Sequence, residues 1–365
     1  MNDSQSLQQK AKQPKKKIRK FRKAKQLARP QEAPTRSIIK KQPETPPFSF
    51  AKRASRSSGD FFLALIPLVL FVVLVILLGV NRQTHQQLQE QKIRSEESLV
   101  KMYPYPLVNA IFTPELSAKA AIITDADSQV ILFSKNPNVR FSMASTTKVM
   151  TALTALDYYP LDAVLTIKTP TVEGSGLGLT FGEQFTFLDL LYAMMLPSAN
   201  DAAVAIADNY PGGVTAFVAK MNEKAISLHL SDTHFADPAG LEDDGDYTTV
   251  VDLARLGAYA IGNKTFVQVT SSKAKTITNI SETQAYPLNN LNQLLGINGV
   301  TGIKTGTTEG AGEVLLTAAT IKGHRYIVVV MHSEQRFVDT QALLTFIEKQ
   351  VQYVDVVSSP PQVVQ

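Results

Sequence analysis

Hydrophobic and polar positions divide the chain into unlike stretches. Residues 1–60 are rich in Lys, Gln and Pro with little apolar content, a pattern expected to stay disordered because it buries too little to offset chain entropy. Phe61 to Val80 (FFLALIPLVLFVVLVILLGV) is 20 residues without a single charge. Residues 81–106 are polar and glutamine-rich up to about Met102, then punctuated by Tyr103-Pro104-Tyr105-Pro106. They read as a helical or flexible stalk. Residues 107–354 carry the pattern of a globular body, and 355–365, with Ser358-Ser359-Pro360-Pro361, form a loose end.

Inside the body, Ala120 to Thr124 (AAIIT) and Val130 to Phe133 (VILF) flank Asp125-Ala126-Asp127-Ser128. That is a hairpin signature. Gly302 to Thr305, Val314 to Thr320 and Tyr326 to Met331 read as three further strands bounded by glycine-containing turns. Between the two sets the period becomes helical over Thr147–Leu156, Phe187–Met195, Asp201–Asn209, Val214–Leu228 and Thr249–Ile261. A last amphipathic stretch, Val338–Val351, closes the body. Strands at both ends with helices between predict an α/β (α+β) domain. Its antiparallel sheet is built from both ends of the chain and carries flanking helices and a helical lobe. No internal repeat is visible.

The uncharged run changes the picture most. Twenty helical residues cover about 30 Å, the thickness of a bilayer's hydrocarbon core. A proline near the end of such a span, here Pro67, is tolerated. A buried core helix rarely runs this long without a polar residue. A cleavable signal is the livelier rival, but it has a short leading region and a small-residue cleavage site. Here 60 residues precede the span, and Leu78-Gly79-Val80-Asn81-Arg82 offers no good site. We read 61–80 as a transmembrane anchor.

Charge orients it. Residues 1–60 hold 17 Lys and Arg against 4 Asp and Glu, whereas the remainder holds 20 against 28. Lys52, Arg53 and Arg56 lie just before the span, backed by Lys15-Lys16-Lys17 and Arg22-Lys23; only Arg82 follows closely. Positive-inside bias puts the tail in the cytoplasm and the body outside the cell membrane. The tail reads as a topology determinant, with anionic lipid or an acidic partner as the sharper alternative. No nucleic-acid partner is expected. The chain has no cysteine, which excludes disulfides, thiolate metal sites and a cysteine nucleophile. Its five histidines, His85, His229, His234, His324 and His332, show no metal-ligand spacing. No metal or cofactor is expected.

Ser145-Thr146-Thr147-Lys148 is the first candidate for chemistry. With Ser145 at a helix start, Lys148 lies one turn on along the same face. A serine hydroxyl needs a base to take its proton, and lysine serves if burial lowers its pKa. Alone the spacing is noise, since Ser37…Lys40, Ser49…Lys52, Ser98…Lys101 and Ser272…Lys275 repeat it. Ser198-Ala199-Asn200 falls at a break between two helical stretches; its ordinary reading is an Asn200 N-cap. Ser134-Lys135-Asn136 is a decoy of that motif. Lys304-Thr305-Gly306 opens an edge-like strand and occurs once. Its glycine lets a ligand backbone lie close while Lys304 and Thr305 present a cation and a hydroxyl.

The order S-x-x-K, then S-x-N after 53 residues, then K-T-G after 106 more is the set found in penicillin-binding proteins and class A β-lactamases. Ala144–Leu153 (ASTTKVMTAL) resembles the active-serine segment of the low-molecular-mass D-alanyl-D-alanine carboxypeptidases, peptidase family S11. So do Asp189–Ala203 (DLLYAMMLPSANDAA), Met221–Ala225, Thr233–Leu241 (THFADPAGL) and Gly302–Thr308 (GIKTGTT). The resemblance spans about Ala110 to Ile347. It implies a penicillin-binding protein/β-lactamase-like fold and hydrolysis of peptidoglycan stem peptides ending in D-Ala-D-Ala. Ser145 is then the nucleophile, Lys148 its base and Ser198 the proton relay, supported by Lys304. Asn200 binds the peptide amide and Thr305 the substrate carboxylate. Gly306 lies in the substrate strand, and the N–H groups of Ser145 and Thr307 form the oxyanion hole. β-Lactam antibiotics are the implied acylating inhibitors. Arg336 stands where a carboxylate-clamping arginine is expected, against the ordinary reading of a solvated helix-start residue.

Departures from the family pattern are Ala199, where Gly is frequent, and an N-terminal span in place of a C-terminal anchor and second domain. A β-lactamase needs a Glu followed three residues later by Asn. His234–Tyr247 offers Glu242, Asp243 and Asp244 without that Asn, which disfavours it. A D,D-endopeptidase on the same fold and an inactive cell-wall-binding protein are the remaining alternatives. The topology is directly testable. Protease added to intact cells is expected to degrade the body and spare the tail; a mature chain beginning near Asn81 instead means a cleaved signal.

Overall fold

The computed structural model describes residues 59–97, 104–109, 111–170 and 172–354. The basic tail up to residue 58 and the loose end from 355 lie outside them. Helix α1, Gly59–Glu97, runs 39 residues with Pro67 inside it. Within it Pro67–Glu90 holds an 18-residue window with mean hydropathy 1.8, long and apolar enough by length and composition to cross a membrane. The helix continues past Val80, so the first part of the expected stalk is helical rather than flexible.

The body opens with strands β1 (Tyr105–Val108), β2 (Ala120–Asp125), β3 (Ile131–Lys135) and β4 (Phe141–Ser142), then helix α2 (Lys148–Leu156). Next come β5 (Val164–Thr166), β6 (Gln184–Thr186), α3 (Phe187–Met195), α4 (Asn200–Asp208) and α5 (Gly213–Ser227). They are followed by β7 (Tyr247–Thr248), α6 (Val250–Ala260), α7 (Lys264–Thr270), β8 (Ala274–Thr278) and β9 (Ala285–Asn289). Strands β10 (Val300–Thr308), β11 (Gly312–Ile321) and β12 (His324–Ser333), helix α8 (Arg336–Gln350) and β13 (Val351–Val354) end it.

Five strands form one antiparallel sheet in the order β10-β11-β12-β2-β3, so both ends of the body meet in it as the pattern predicts. Its central strands β11, β12 and β2 are buried on both faces. Ile327, Val329 and Met331 of β12 join Ala120 and Ile122 of β2 in the core shared with the helical lobe. Their neighbours Val328, Val330, Ala121 and Ile123 face α8 instead, beside Leu343, Phe346 and Ile347. Burial on both sides explains why these strands read as unbroken apolar runs rather than alternation. In the lobe, α2 buries every residue from Lys148 to Ala155; its alanines and threonines let α3, α4, α5 and α6 close around it.

Pairs β1–β13, β4–β7, β5–β6 and β8–β9 went unread in the sequence. They are short, and β8 buries only Ile277 of its five residues, so no alternation marks them. Strand β1 begins at Tyr105, inside the stretch read as stalk, because Tyr105 pairs with Val354.

Helix α8 is fastened to the sheet by one carboxylate. Asp339 accepts from Ser117 N (2.9 Å), Ala118 N (2.8 Å), Ser117 Oγ (2.8 Å) and Ser333 Oγ (2.6 Å). Burial opposes its ionisation, but these donors together hold it below the usual carboxylate range. Asp339→Ala is expected to destabilise the body by about 3 kcal/mol, because buried donors lose their acceptor. The depressed pKa places this stabilisation above the ordinary carboxylate range, with loss as pH falls through the folded value. Denaturant melts of wild type and Asp339→Asn should therefore converge as pH falls below the ordinary carboxylate range.

Candidate active site

A short 3-10 turn, Ala144–Thr147, leads into α2. At three residues per turn, positions i and i+3 eclipse one another, which stacks Lys148 on Ser145. The Lys148 amine donates to Ser145 Oγ at 2.8 Å and to the Ala239 carbonyl at 2.6 Å. Lys148 is fully buried, and burial pushes its amine down to about 7 against the pull of Asp237, Asp246 and Asp201. Ser145 itself is half-buried. A hydroxyl thus faces an amine that is about half neutral near pH 7, an arrangement in which an amine can take a hydroxyl proton.

The turn is held in a conformation that the sequence alone does not favour. Ala144 has φ +46°, a left-handed region that costs an L-residue roughly 1–2 kcal/mol. Gly240, at φ +79°, presses against it: a Cβ there falls 2.0 Å from the Ala144 carbonyl oxygen and 2.8 Å from Thr147 Oγ1. From the other side comes Gly306, where a Cβ falls 3.1 Å from Met143 O, Ala144 Cβ and Ser145 N. Two glycines therefore let the 237–240 loop and strand β10 close on the serine turn.

Strand β10 is the sheet edge, as expected. Lys304 and Thr305 are buried on it, and Lys304 Nζ donates to the Thr305 carbonyl at 2.9 Å. Burial lowers the Lys304 amine well below its ordinary value, helped by the nearby charges of Lys148 and Arg336. Arg336, first residue of α8, is half-buried rather than solvated. Its guanidinium donates to Gly306 O at 2.8 Å and to Thr307 Oγ1. Glu313 Oε2 accepts the Arg336 backbone N–H at 2.8 Å.

Ser198 and Asn200 stand at the entry to α4. Ser198 adopts φ +65°, and its buried hydroxyl has no hydrogen-bond partner among the described residues. Asn200 is not the N-cap: it is the first helical residue, and Ala199 in the cap position makes no side-chain bond. Instead Asn200 Nδ2 donates to Glu173 O at 2.6 Å, leaving its buried Oδ1 without a donor. Orphaned buried acceptors are rare and call for a partner. Asp201, next along, accepts Leu177, Gly178 and Leu179 N–H groups at 2.9, 3.0 and 3.2 Å. Together the two residues pin the 173–179 loop.

Sequence reasoning missed the carboxylates that shape the site. Asp237 accepts from the N–H groups of Ala239, Gly240, Leu241 and Glu242. Asp243 accepts from Ser142 Oγ at 2.6 Å, Thr308 Oγ1 at 2.5 Å and Gly310 N at 3.1 Å, tying its loop to both β4 and the end of β10. The legible signal was Asp237-Pro238-Ala239-Gly240, a turn sequence. Among the described residues, no group of three or more His, Asp or Glu could hold a metal ion.

Comparison with known proteins finds relatives of this body. The D-alanyl-D-alanine carboxypeptidase family, peptidase family S11, matches residues 108–335. The chain is 32% identical over 243 residues to a D-alanyl-D-alanine endopeptidase of Pseudomonas aeruginosa, covering 65% of this chain and 78% of that protein. It is also 32% identical over 228 residues to the Bacillus subtilis D-alanyl-D-alanine carboxypeptidase DacF, covering 60% of this chain but only 58% of that relative. The crystal structure of the Streptomyces K15 DD-transpeptidase superposes with TM-score 0.61 at 32% identity, over 65% of this chain and 98% of that one. The mixed sheet-and-helix body therefore has the DD-transpeptidase fold.

Gly240→Ala tests the pressed contact. It is expected to cost at least about 2 kcal/mol in denaturant unfolding, since a methyl must displace backbone. Wild-type stability in that variant contradicts the packing of Gly240 on Ala144.

Proposed function

As the chain belongs to the D-alanyl-D-alanine carboxypeptidase family of serine peptidases, we propose that it removes the terminal D-Ala from peptidoglycan stem peptides through an acyl-enzyme on Ser145. The observation that carries this reading is the 2.8 Å bond between Lys148 Nζ and Ser145 Oγ, made by an amine that burial lowers to about 7. Lys148 takes the hydroxyl proton as Ser145 attacks the penultimate D-Ala carbonyl. The N–H groups of Ser145 and Thr307, on segments that Gly306 brings together, receive the developing oxyanion. Ser198 gives its proton to the departing D-Ala nitrogen and takes the one held by Lys148 in exchange; its hydroxyl, without a partner among the described residues, is free for that task. Water then hydrolyses the ester and regenerates Ser145.

Substrate recognition uses the remaining groups. The open Oδ1 of Asn200 accepts a peptide N–H. Lys304, Thr305 and Arg336 meet the terminal carboxylate, where cation and hydroxyl donors act in a partly dry cleft. Penicillin enters the same path as an acylating inhibitor. The β-lactamase alternative is weakened further by the loop carboxylates. Asp243 is occupied by three donors, and Glu242 is exposed. In this reading α1 anchors the body on the outer side of the cell membrane, the orientation that the tail's basic residues favour.

A second reading, D,D-endopeptidase, is favoured by the names of the Pseudomonas aeruginosa and Escherichia coli relatives, each covered over 78% of its length. Product analysis separates them: free D-Ala from a pentapeptide marks the carboxypeptidase, and monomers from a cross-linked dimer mark the endopeptidase.

Ser145→Ala is expected to abolish D-Ala release and penicillin labelling. Lys148→Ala should slow both by roughly 100-fold or more, because the serine keeps its proton. In the wild type the acylation rate should fall on acidification with a midpoint near pH 7, as Lys148 with its lowered pKa takes up a proton. Arg336→Ala should reduce turnover of D-Ala-D-Ala peptides more than penicillin acylation. Paired second-order rates on diacetyl-Lys-D-Ala-D-Ala and a fluorescent penicillin measure all three. Acylation at another serine overturns the assignment.

A further inference from the structure

The oxyanion hole of the proposed function is assembled from two different sheets. Ser145 lies three residues after Ser142 of β4, which pairs with β7, whereas Thr307 lies on β10, which pairs with β11. Gly306 lets the serine turn and β10 touch, but touching sets only a minimum separation. Among the described residues no backbone hydrogen bond joins residues 141–147 to β10. The turn is also strained, with Ala144 at φ +46°, and a strained segment keeps its place only when its surroundings fix it. Two N–H donors stabilise an oxyanion well only when both are already in position. Contact alone does not secure that.

Asp243 spans the gap. Its Oδ1 accepts the Ser142 hydroxyl at 2.6 Å and the Thr308 hydroxyl at 2.5 Å, so one oxygen holds both strands. Thr308 directly follows Thr307. The Thr308 oxygen accepts the Ala311 N–H at 3.1 Å while its own proton goes to Asp243. Asp243 Oδ2 accepts the Gly310 N–H at 3.1 Å. A Cβ on Gly310 would fall 2.9 Å from Asp243 Cγ and Oδ2, so glycine lets the β10–β11 turn close on the carboxylate. We propose that Asp243 is a positioning residue for the reaction: it clamps the strand entering the Ser145 turn to the strand end carrying Thr307, and so fixes the spacing of their two oxyanion N–H groups. The role rests on Ser145 and Thr307 supplying the hole, as in the proposed function. Burial opposes ionisation of Asp243, but the Ser142, Thr308 and Gly310 donors hold its carboxyl below the usual carboxylate range. Bonds to such an ionised acceptor are roughly twice as strong as neutral ones.

A clamp on the hole has a signature that general stability lacks. The acyl-enzyme formed with benzylpenicillin is an ester whose carbonyl oxygen sits in the hole, and two well-placed N–H donors lower its infrared stretching frequency. Full-length chains in detergent, acylated with benzylpenicillin isotopically labelled at the lactam carbonyl, report that frequency against the denatured acyl-enzyme. Asp243→Ala is expected to move the stretch toward the denatured value and to slow acylation roughly 100-fold, the order lost when a reacting group or donor leaves its place. Asp243→Asn should return both to near wild type, since its amide oxygen still accepts the two hydroxyls.

Ser142→Ala and Thr308→Val each cut one arm while keeping the carboxylate, and should shift the stretch in the same direction. Combined, they should slow acylation no more than the slower single variant, because a clamp broken on one side is already open. These variants decide the matter if Asp243→Ala fails to fold. An Asp243→Ala chain whose stretch is unshifted, at whatever rate it acylates, overturns the positioning role, as does additive slowing in the double variant. A wild type that forms no ester on Ser145 overturns the proposed function itself, and this role with it.

Discussion

The molecule is organised around keeping one amine dry. Lys148 is buried to the last atom, and its hydrogen-bond partners are a hydroxyl and a carbonyl, neither of them charged. A buried ammonium without a direct counterion is expensive, and the group answers by lowering its pKa. That requirement dictates the surroundings. Helix α2 must be enclosed on all sides, which its small residues permit, and the aspartates that temper the burial must stand at one remove. The apolar lobe is thus more than a scaffold, since its dryness is what lowers the lysine's pKa.

Strain gathers at the same place. Ala144 before the serine and Ser198 at the second motif both hold positive φ, where non-glycine residues rarely settle without support. Support is present on each side. Gly240 and Gly306 bring backbone onto the turn, while Asn200 and Asp201 brace the loop opposite. The buried acceptor of Asn200 and the hydroxyl of Ser198, without partners among the described residues, lie in the two segments where the backbone is least relaxed or most tightly braced. Fixed polar groups with open valences are the arrangement that stabilises developing charge without reorganisation.

Two carboxylates fasten segments that are distant in sequence, and a third shapes a local loop. Asp339 joins the start of α8 to the segment before β2 and to the end of β12, Asp243 joins β4 to the end of β10, and Asp237 folds its own loop under Lys148. Each spends its oxygens on backbone N–H and hydroxyl donors rather than on lysines or arginines. Such bonds are directional and survive burial, so they set positions where surface ion pairs contribute little. Arg336 follows from this fastening, because α8 must be docked before its first residue can reach Gly306 and Thr307.

By itself the sequence determined the five-stranded sheet assembled from both ends of the body, the helices between, the long apolar helix and the three motifs. Those features are written in local periodicity, in uncharged length and in residue types at fixed spacing, all of which act within a few residues. It left Asn200 with a helix cap as its ordinary reading beside the substrate-binding one, Arg336 as an even choice with a solvated residue, and Asp237 and Asp246 unremarked. Tertiary structure alone decided these. Whether Asn200 caps its helix or reaches Glu173 depends on a loop 27 residues away. Whether Arg336 is solvated depends on a strand 30 residues before it. The pKa of Lys148 depends on what excludes water from it, and desolvation is a sum over neighbours that no window of sequence contains. The short pairs β1–β13 and β8–β9 escaped for the same reason: their stability comes from the partner each finds, not from a pattern that either strand carries.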